Sequence, residues 1–139
     1  MTACPCCSGK DYELCCGPAI EGRAWPETAE ALMRSRYTAF ARRDVKWLKE
    51  SLWPKYQKTL DMAGLTEFAQ TREWVGLEIE RVEQGAADDK TGMVRFVAKA
   101  LSEGTIKDHR EASLFRKKKG RWYYVAAIAE EEANVLLRK

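Results

Sequence analysis

All five cysteines of this 139-residue chain fall within its first 16 residues, at Cys4, Cys6, Cys7, Cys15 and Cys16. A disulfide framework would spread its cysteines over the fold and would need an oxidising compartment. Clustered thiols read instead as metal ligands or redox groups. Residues 1–18 are otherwise rich in Gly, Ser and Pro and carry no apolar face. Such a segment is held either by the body of the protein or by a metal. One residue separates Cys4 from Cys6, none separates Cys15 from Cys16, and eight lie between the pairs. Four thiolates complete a closed tetrahedral structural site with Zn–S bonds of about 2.3 Å. Pro5 stiffens the first pair and Gly9 lets the chain turn back. The competing reading is a redox dithiol or uncommitted surface thiols.

The rest of the composition is that of an ordinary globular domain. Hydrophobic residues make up 45% and charged residues 32%, which excludes a disordered or collagen-like chain. The longest wholly apolar run, Val125 to Ala129, is far short of the ~20 residues of a membrane span. The first residues lack the basic flank and apolar stretch of a signal peptide. The expectation is a soluble cytoplasmic protein. A net charge of +3 is too weak to argue for nucleic acid. The concentrated basic run from Arg116 to Arg121 straddles Gly120 and reads as a solvated hairpin tip.

Residues 1–18 form one expected unit and residues 19–139 the other. From Thr28 to Asp44 the apolar residues Ala29, Leu32, Met33, Tyr37, Phe40 and Ala41 recur at helical spacing, with Thr28 as N-cap. Asp44 caps a second helix through Val45, Leu48 and Leu52, ended by Pro54. A third is predicted from Thr66 to Glu73. Beyond Trp74 the period becomes two. Val75, Leu77 and Ile79 share a face of one strand, and Val94, Phe96, Ala98 and Ala100 a face of the next. His109, Glu111, Ser113 and Phe115 share a face of a third, and Trp122, Tyr124, Ala126 and Ile128 of a fourth. Lys119-Gly120 makes a tight hairpin. A short C-terminal helix is expected over 130–139, with Ala133, Leu136 and Leu137 inward. Helices followed by consecutive strands mean α+β, with N-terminal helices packed on an antiparallel sheet.

The stretch CPCCSGKDYELCCG resembles the SEC-C motif, C-x-C-x8-C-[CH], of the C-terminal tail of the SecA translocation ATPase. The resemblance implies Zn2+ (iron is the other candidate) bound by Cys4, Cys6, Cys15 and Cys16. Cys7 stands where that motif normally has Gly. Met33 to Tyr37, Glu73 to Leu77, Glu111-x-Ser113-x-Phe115 and Gly120 to Tyr124 resemble the YchJ (UPF0225) family of small, mostly uncharacterised bacterial proteins. The likeness implies a cone-shaped fold with a curved sheet, similar to nuclear transport factor 2. The SecA-tail resemblance implies an accessory role, in which the SEC-C segment recognises another protein or a ribonucleoprotein near protein export or the ribosome.

That cone often encloses a pocket. Arg36, Tyr37, Trp74, His109, Glu111 and Ser113 are its candidate lining residues. A histidine and a carboxylate two apart on a strand could serve as an acid–base pair. The alternative, adopted here, assigns no catalytic residue. It makes Glu111 the ion-pair partner of Arg34 or Arg36 and leaves Tyr37, Trp74, Trp122 and Tyr124 as core aromatics. A small-molecule-binding protein or enzyme using the pocket around Glu111 and His109 remains the rival function.

Overall fold

The structure, a computed structural model, describes residues 2–129 and Glu132. The C-terminal helix expected over 130–139 therefore lies outside the described residues. A 3-10 turn (Tyr12–Leu14) and a single helical turn α1 (Gly17–Ile20) close the cysteine segment. Helices α2 (Ala29–Arg42), α3 (Val45–Glu50), α4 (Pro54–Gln57) and α5 (Met62–Gln70) follow. Strands β1 (Glu73–Gln84), β2 (Thr91–Ser102), β3 (Thr105–Lys118) and β4 (Arg121–Ala127) complete the order.

Local chemistry explains most boundaries. Thr28 Oγ1 accepts from Ala31 N, and Asp44 accepts from Trp47 N, as N-caps should. Asp61 accepts from Gly64 N, so the third predicted helix begins at Met62 rather than Thr66. It ends at Gln70, and Glu73 already belongs to β1. Leu52 does not extend α3. Its segment bridges β4 instead, with Trp53 N donating to Tyr124 O and Tyr124 N to Ser51 O. Pro54 opens α4 as an N1 proline, where its missing N–H costs nothing.

The sheet is an antiparallel meander in the order β1-β2-β3-β4. Glu103-Gly104 and Lys119-Gly120 turn two of its hairpins with positive φ at both positions, the geometry whose twist matches that of the strands. Flanking that second turn, Lys117, Lys118 and Arg121 lie over the rings of Trp122, Trp53 and Trp25. The basic run is thus a hairpin tip whose cations rest on aromatic faces.

Two bulges correct the predicted strand faces. In β1 the register jumps between Trp74 and Gly76. Trp74, Leu77 and Ile79 therefore oppose Ala100, Ala98 and Phe96, while Val75 is 50% exposed. In β4 the register jumps after Tyr124, so Ala127 rather than Ala126 opposes Ser113. One extra residue moves every later side chain to the other face. The core forms where α2 and α3 cover the inner face. Leu32, Met33, Tyr37, Trp47 and Leu48 pack there with Val94, Phe96, Ala98, Phe115 and Trp122. Cys4, Cys6, Tyr12, Cys16 and Ala19 belong to the same continuous cluster.

Candidate metal centre and cavity

The cysteine segment folds as a short two-stranded loop, with Cys4 N donating to Lys10 O and Tyr12 N to Thr2 O. Gly9 turns this loop at φ 85°. The 3-10 turn and α1 then bring Cys15 and Cys16 against Cys4 and Cys6. All four sulfurs lie within 4.8 Å of one another. Zn–S bonds of about 2.3 Å at tetrahedral angles place ligand sulfurs about 3.8 Å apart. Cys6 to Cys15 is 3.6 Å and Cys15 to Cys16 is 3.9 Å. The four thiols therefore fit a tetrahedral ion. Cys7 lies apart from this set, exposed and at φ 65°. A left-handed backbone there explains why the motif favours glycine at this position. The cost for Cys7 is conformational strain, not a lost ligand.

Helix α2 supports the cluster with one stripe of its surface. Arg34, Thr38 and Arg42 are spaced by four residues and so lie one above another. Arg34 Nη1 donates to Cys6 O at 2.9 Å and stands 4.0 Å from Cys6 Sγ, while its Nε pairs with Glu30. Thr38 Oγ1 lies 3.7 Å from Cys4 Sγ. The Arg42 guanidinium stacks over Tyr12 at 4.3 Å. Within the loop itself, Ser8 Oγ is 3.2 Å from Cys15 Sγ. Arg34, Thr38 and Ser8 offer positive charge and N–H or O–H donors to a site that gathers negative sulfur, so they favour the thiolates a metal requires. A hydrogen bond from Cys16, outweighing burial, lowers the Cys6 pKa to about 4. The same bond, together with burial, raises that of Cys16. Sequence alone does not single out Thr38 or Arg42, and it offers Glu111 as the partner of Arg34. Their four-residue spacing was the available signal. Replacing Arg34 with Ala is expected to weaken metal binding by about ten- to a hundredfold, measured by competition against a chromogenic chelator.

The second site is a cavity of about 250 Å³ between α2, α5 and the sheet. Of the pocket candidates, Arg36, Tyr37, Trp74, His109 and Glu111 line it; Ser113 is fully buried beside it. Phe40, Phe68 and Tyr124 join the lining, and Trp74 packs against Tyr37, Phe40 and Phe68. The Trp74 Nε1–H is buried without a hydrogen-bond partner among the described residues.

Glu111 does not form the expected ion pair with Arg34 or Arg36. Its Oε2 accepts from Ser113 Oγ and from Tyr124 OH, and its Oε1 lies 3.0 Å from His109 Nε2. Arg34 is engaged at the cysteine segment. Arg36 donates through Nη1 to Leu48 O and Ser51 Oγ, and its guanidinium lies 4.4 Å above the Tyr124 ring. Burial lowers the Arg36 pKa to about 10, which leaves it charged at neutral pH. Burial first, and the Glu111 carboxylate second, raise that of Tyr124, so its hydroxyl remains a donor. Tyr124 thus stands between the two charges, taking one on its face and serving the other with its hydroxyl.

The YchJ middle NTF2-like domain matches residues 28–127. A UPF0225 protein of Geobacter sulfurreducens is 37% identical over 121 residues, covering 87% of this chain and 75% of its own length. One from Actinobacillus succinogenes is 40% identical over 131 residues, covering 94% and 84%. The chain belongs to the YchJ (UPF0225) family. The solution structure of a SEC-C motif containing protein from Rhodopseudomonas palustris superposes with a TM-score of 0.83 at 32% identity, covering 91% of this chain and 97% of that one. A crystal structure of a SEC-C motif containing protein from Psychrobacter arcticus gives 0.78 at 27% identity, covering 88% and 80%. The NTF2-like body and the SEC-C segment of the sequence reading are thus features of the family. No helix among the described residues is long and apolar enough to cross a membrane.

Proposed function

We propose that this YchJ-family protein is a cytoplasmic accessory factor in which a zinc-bound SEC-C segment, residues 1–18, recognises another protein or a ribonucleoprotein. The NTF2-like body, residues 19–139, carries that segment. The closed set of four thiols carries the reading. A tetrahedral ion held by Cys4, Cys6, Cys15 and Cys16 has no open position for water or substrate, so its role is to shape the segment rather than to catalyse. The inner side of that shape is fixed on α2, while Leu14 projects from the outer side at 78% exposure. Resemblance to the SecA tail supports a partner in protein export or at the ribosome.

The test has two parts. Elemental analysis of protein purified without added metal is expected to find one zinc per chain; substoichiometric metal with four reactive thiols would refute the site. Capture from lysate should then differ between the intact chain and a Leu14→Lys variant, which leaves ligands and core untouched. Identical captured sets would refute recognition through this face. The cavity beside Glu111 favours a second reading, a small-molecule binding function for the body. An aromatic-lined space left open is an ordinary binding-site feature.

A further inference from the structure

The cavity has an apolar end and a polar end. At the apolar end Phe40, Phe68, Trp74 and Tyr37 present rings from two helices and a strand. At the polar end lie Glu111 and Arg36, joined through Tyr124. The volume of about 250 Å³ exceeds the roughly 150 Å³ that accommodates a benzene. It falls below the ~300 Å³ at which pockets for drug-sized ligands begin. A molecule of one or two rings fits.

The two charges of the lining oppose each other, so the space favours neither a cation nor an anion. Arg36 directs Nη1 away, toward Leu48 O and Ser51 Oγ. Glu111 Oε2 is occupied by two hydroxyl donors from the protein interior. Its Oε1 is held at 3.0 Å by Nε2 of His109, a side chain that is 54% exposed, so a ligand donor can compete for it where the protein-interior hydroxyls cannot be displaced. Oε1 is therefore the acceptor a ligand can reach.

We propose that this cavity binds a compact, uncharged, planar heteroaromatic molecule that stacks among Trp74, Phe68 and Phe40 and donates an N–H to Glu111 Oε1. The proposal rests on the second reading above and names its ligand class. It makes no use of the metal site.

Indole, 1-methylindole and benzoate are suitable probes, added to the metal-loaded full chain and followed by heteronuclear NMR. Indole should shift the Trp74 Nε1–H and the backbone amides of His109 and Glu111. 1-Methylindole keeps the rings but lacks the donor, and should bind at least tenfold more weakly, as expected for a lost hydrogen bond to a charged group. Benzoate should not bind. An Ala98→Phe variant, which fills the cavity from β2, should abolish the indole shifts while its own spectrum reports that it is folded. Equal affinity for indole and 1-methylindole, or preferential binding of benzoate, would overturn the ligand class while leaving a binding cavity in place. No shifts with any probe at millimolar concentration, or shifts confined to other surfaces, would overturn the cavity reading as well.

Discussion

Stripping the metal with a strong chelator is expected to lower the main thermal transition by about 10 °C, in addition to releasing the cysteine segment. Read from sequence alone, residues 1–18 have no apolar face and should melt without consequence for the body. The packing argues otherwise. Cys4, Cys6 and Cys16 are almost fully buried and, with Tyr12 and Ala19, share one continuous core with Ala29, Leu32 and Met33 of α2. Without an ion the four thiols must take up protons or repel, and the loop that positions them loses its anchor. Its departure would expose apolar surface of α2 and leave Thr38, which is fully buried, without its sulfur neighbour. A loss of about 3 kcal/mol is a modest outcome for such an unpacking. At roughly 3 °C per kcal/mol for a chain of this size, it gives the stated shift. Differential scanning calorimetry with and without chelator measures it. An unchanged transition alongside a disordered segment would show that the two parts are energetically independent. Acid should act in the same direction. The ligands must be thiolates, so affinity falls as pH falls, by up to about tenfold per pH unit for each proton displaced.

What could be read from the sequence divides along physical lines. Helix caps and cysteine spacing are local, and the residues that create them lie within a few positions of one another. Thr28 and Asp44 cap as expected, and the four spaced cysteines converge. The face of β2 is also local, because an unbroken period of two carries Val94, Phe96, Ala98 and Ala100 to the same side. In β1 the bulge at Val75 turns that residue outward and brings Trp74 onto the face of Leu77 and Ile79, and in β4 the bulge at Val125 moves Ala126 off the face of Trp122 and Tyr124. A bulge is set by strand pairing and leaves little trace in one strand's own pattern. The partners of Glu111 were missed for a related reason. Tyr124 reaches it only because β3 and β4 pair Phe115 with Tyr124, a register no composition rule supplies. Charge alone suggested an arginine. Yet Arg34 and Arg36, two residues apart, are turned by the helix to different surroundings. Arg34 serves the cysteine segment and Arg36 the cavity wall. The same helix thereby supports both sites: Arg34 and Thr38 meet the cysteines and Arg42 the ring of Tyr12, while Met33, Arg36, Tyr37 and Phe40 line the cavity.

Replacing Glu111 with Ala should destabilise the protein by about 2–4 kcal/mol, the cost of orphaning buried donors and removing a charge that balances a buried cation. The side chain of Glu111 is 16% exposed, so its groups are only weakly screened. Ser113 is fully buried, and its hydroxyl and that of Tyr124 both donate to this carboxylate. Removing the carboxylate leaves those hydroxyls without an acceptor. It also leaves the charge of Arg36, on the face of the same tyrosine, without its nearby counter-charge. Glu111→Gln separates the two contributions. The amide oxygen can still accept from one or both hydroxyls, so this variant should lose less than the Ala variant, about 1–2 kcal/mol, from the missing charge. Denaturant midpoints at constant slope measure both. A Gln variant at least as stable as the parent would mean that the carboxylate is retained at a cost to the fold, as happens where a site trades stability for function. That result would shift the weight from a structural Glu111 to one kept for a ligand in the cavity.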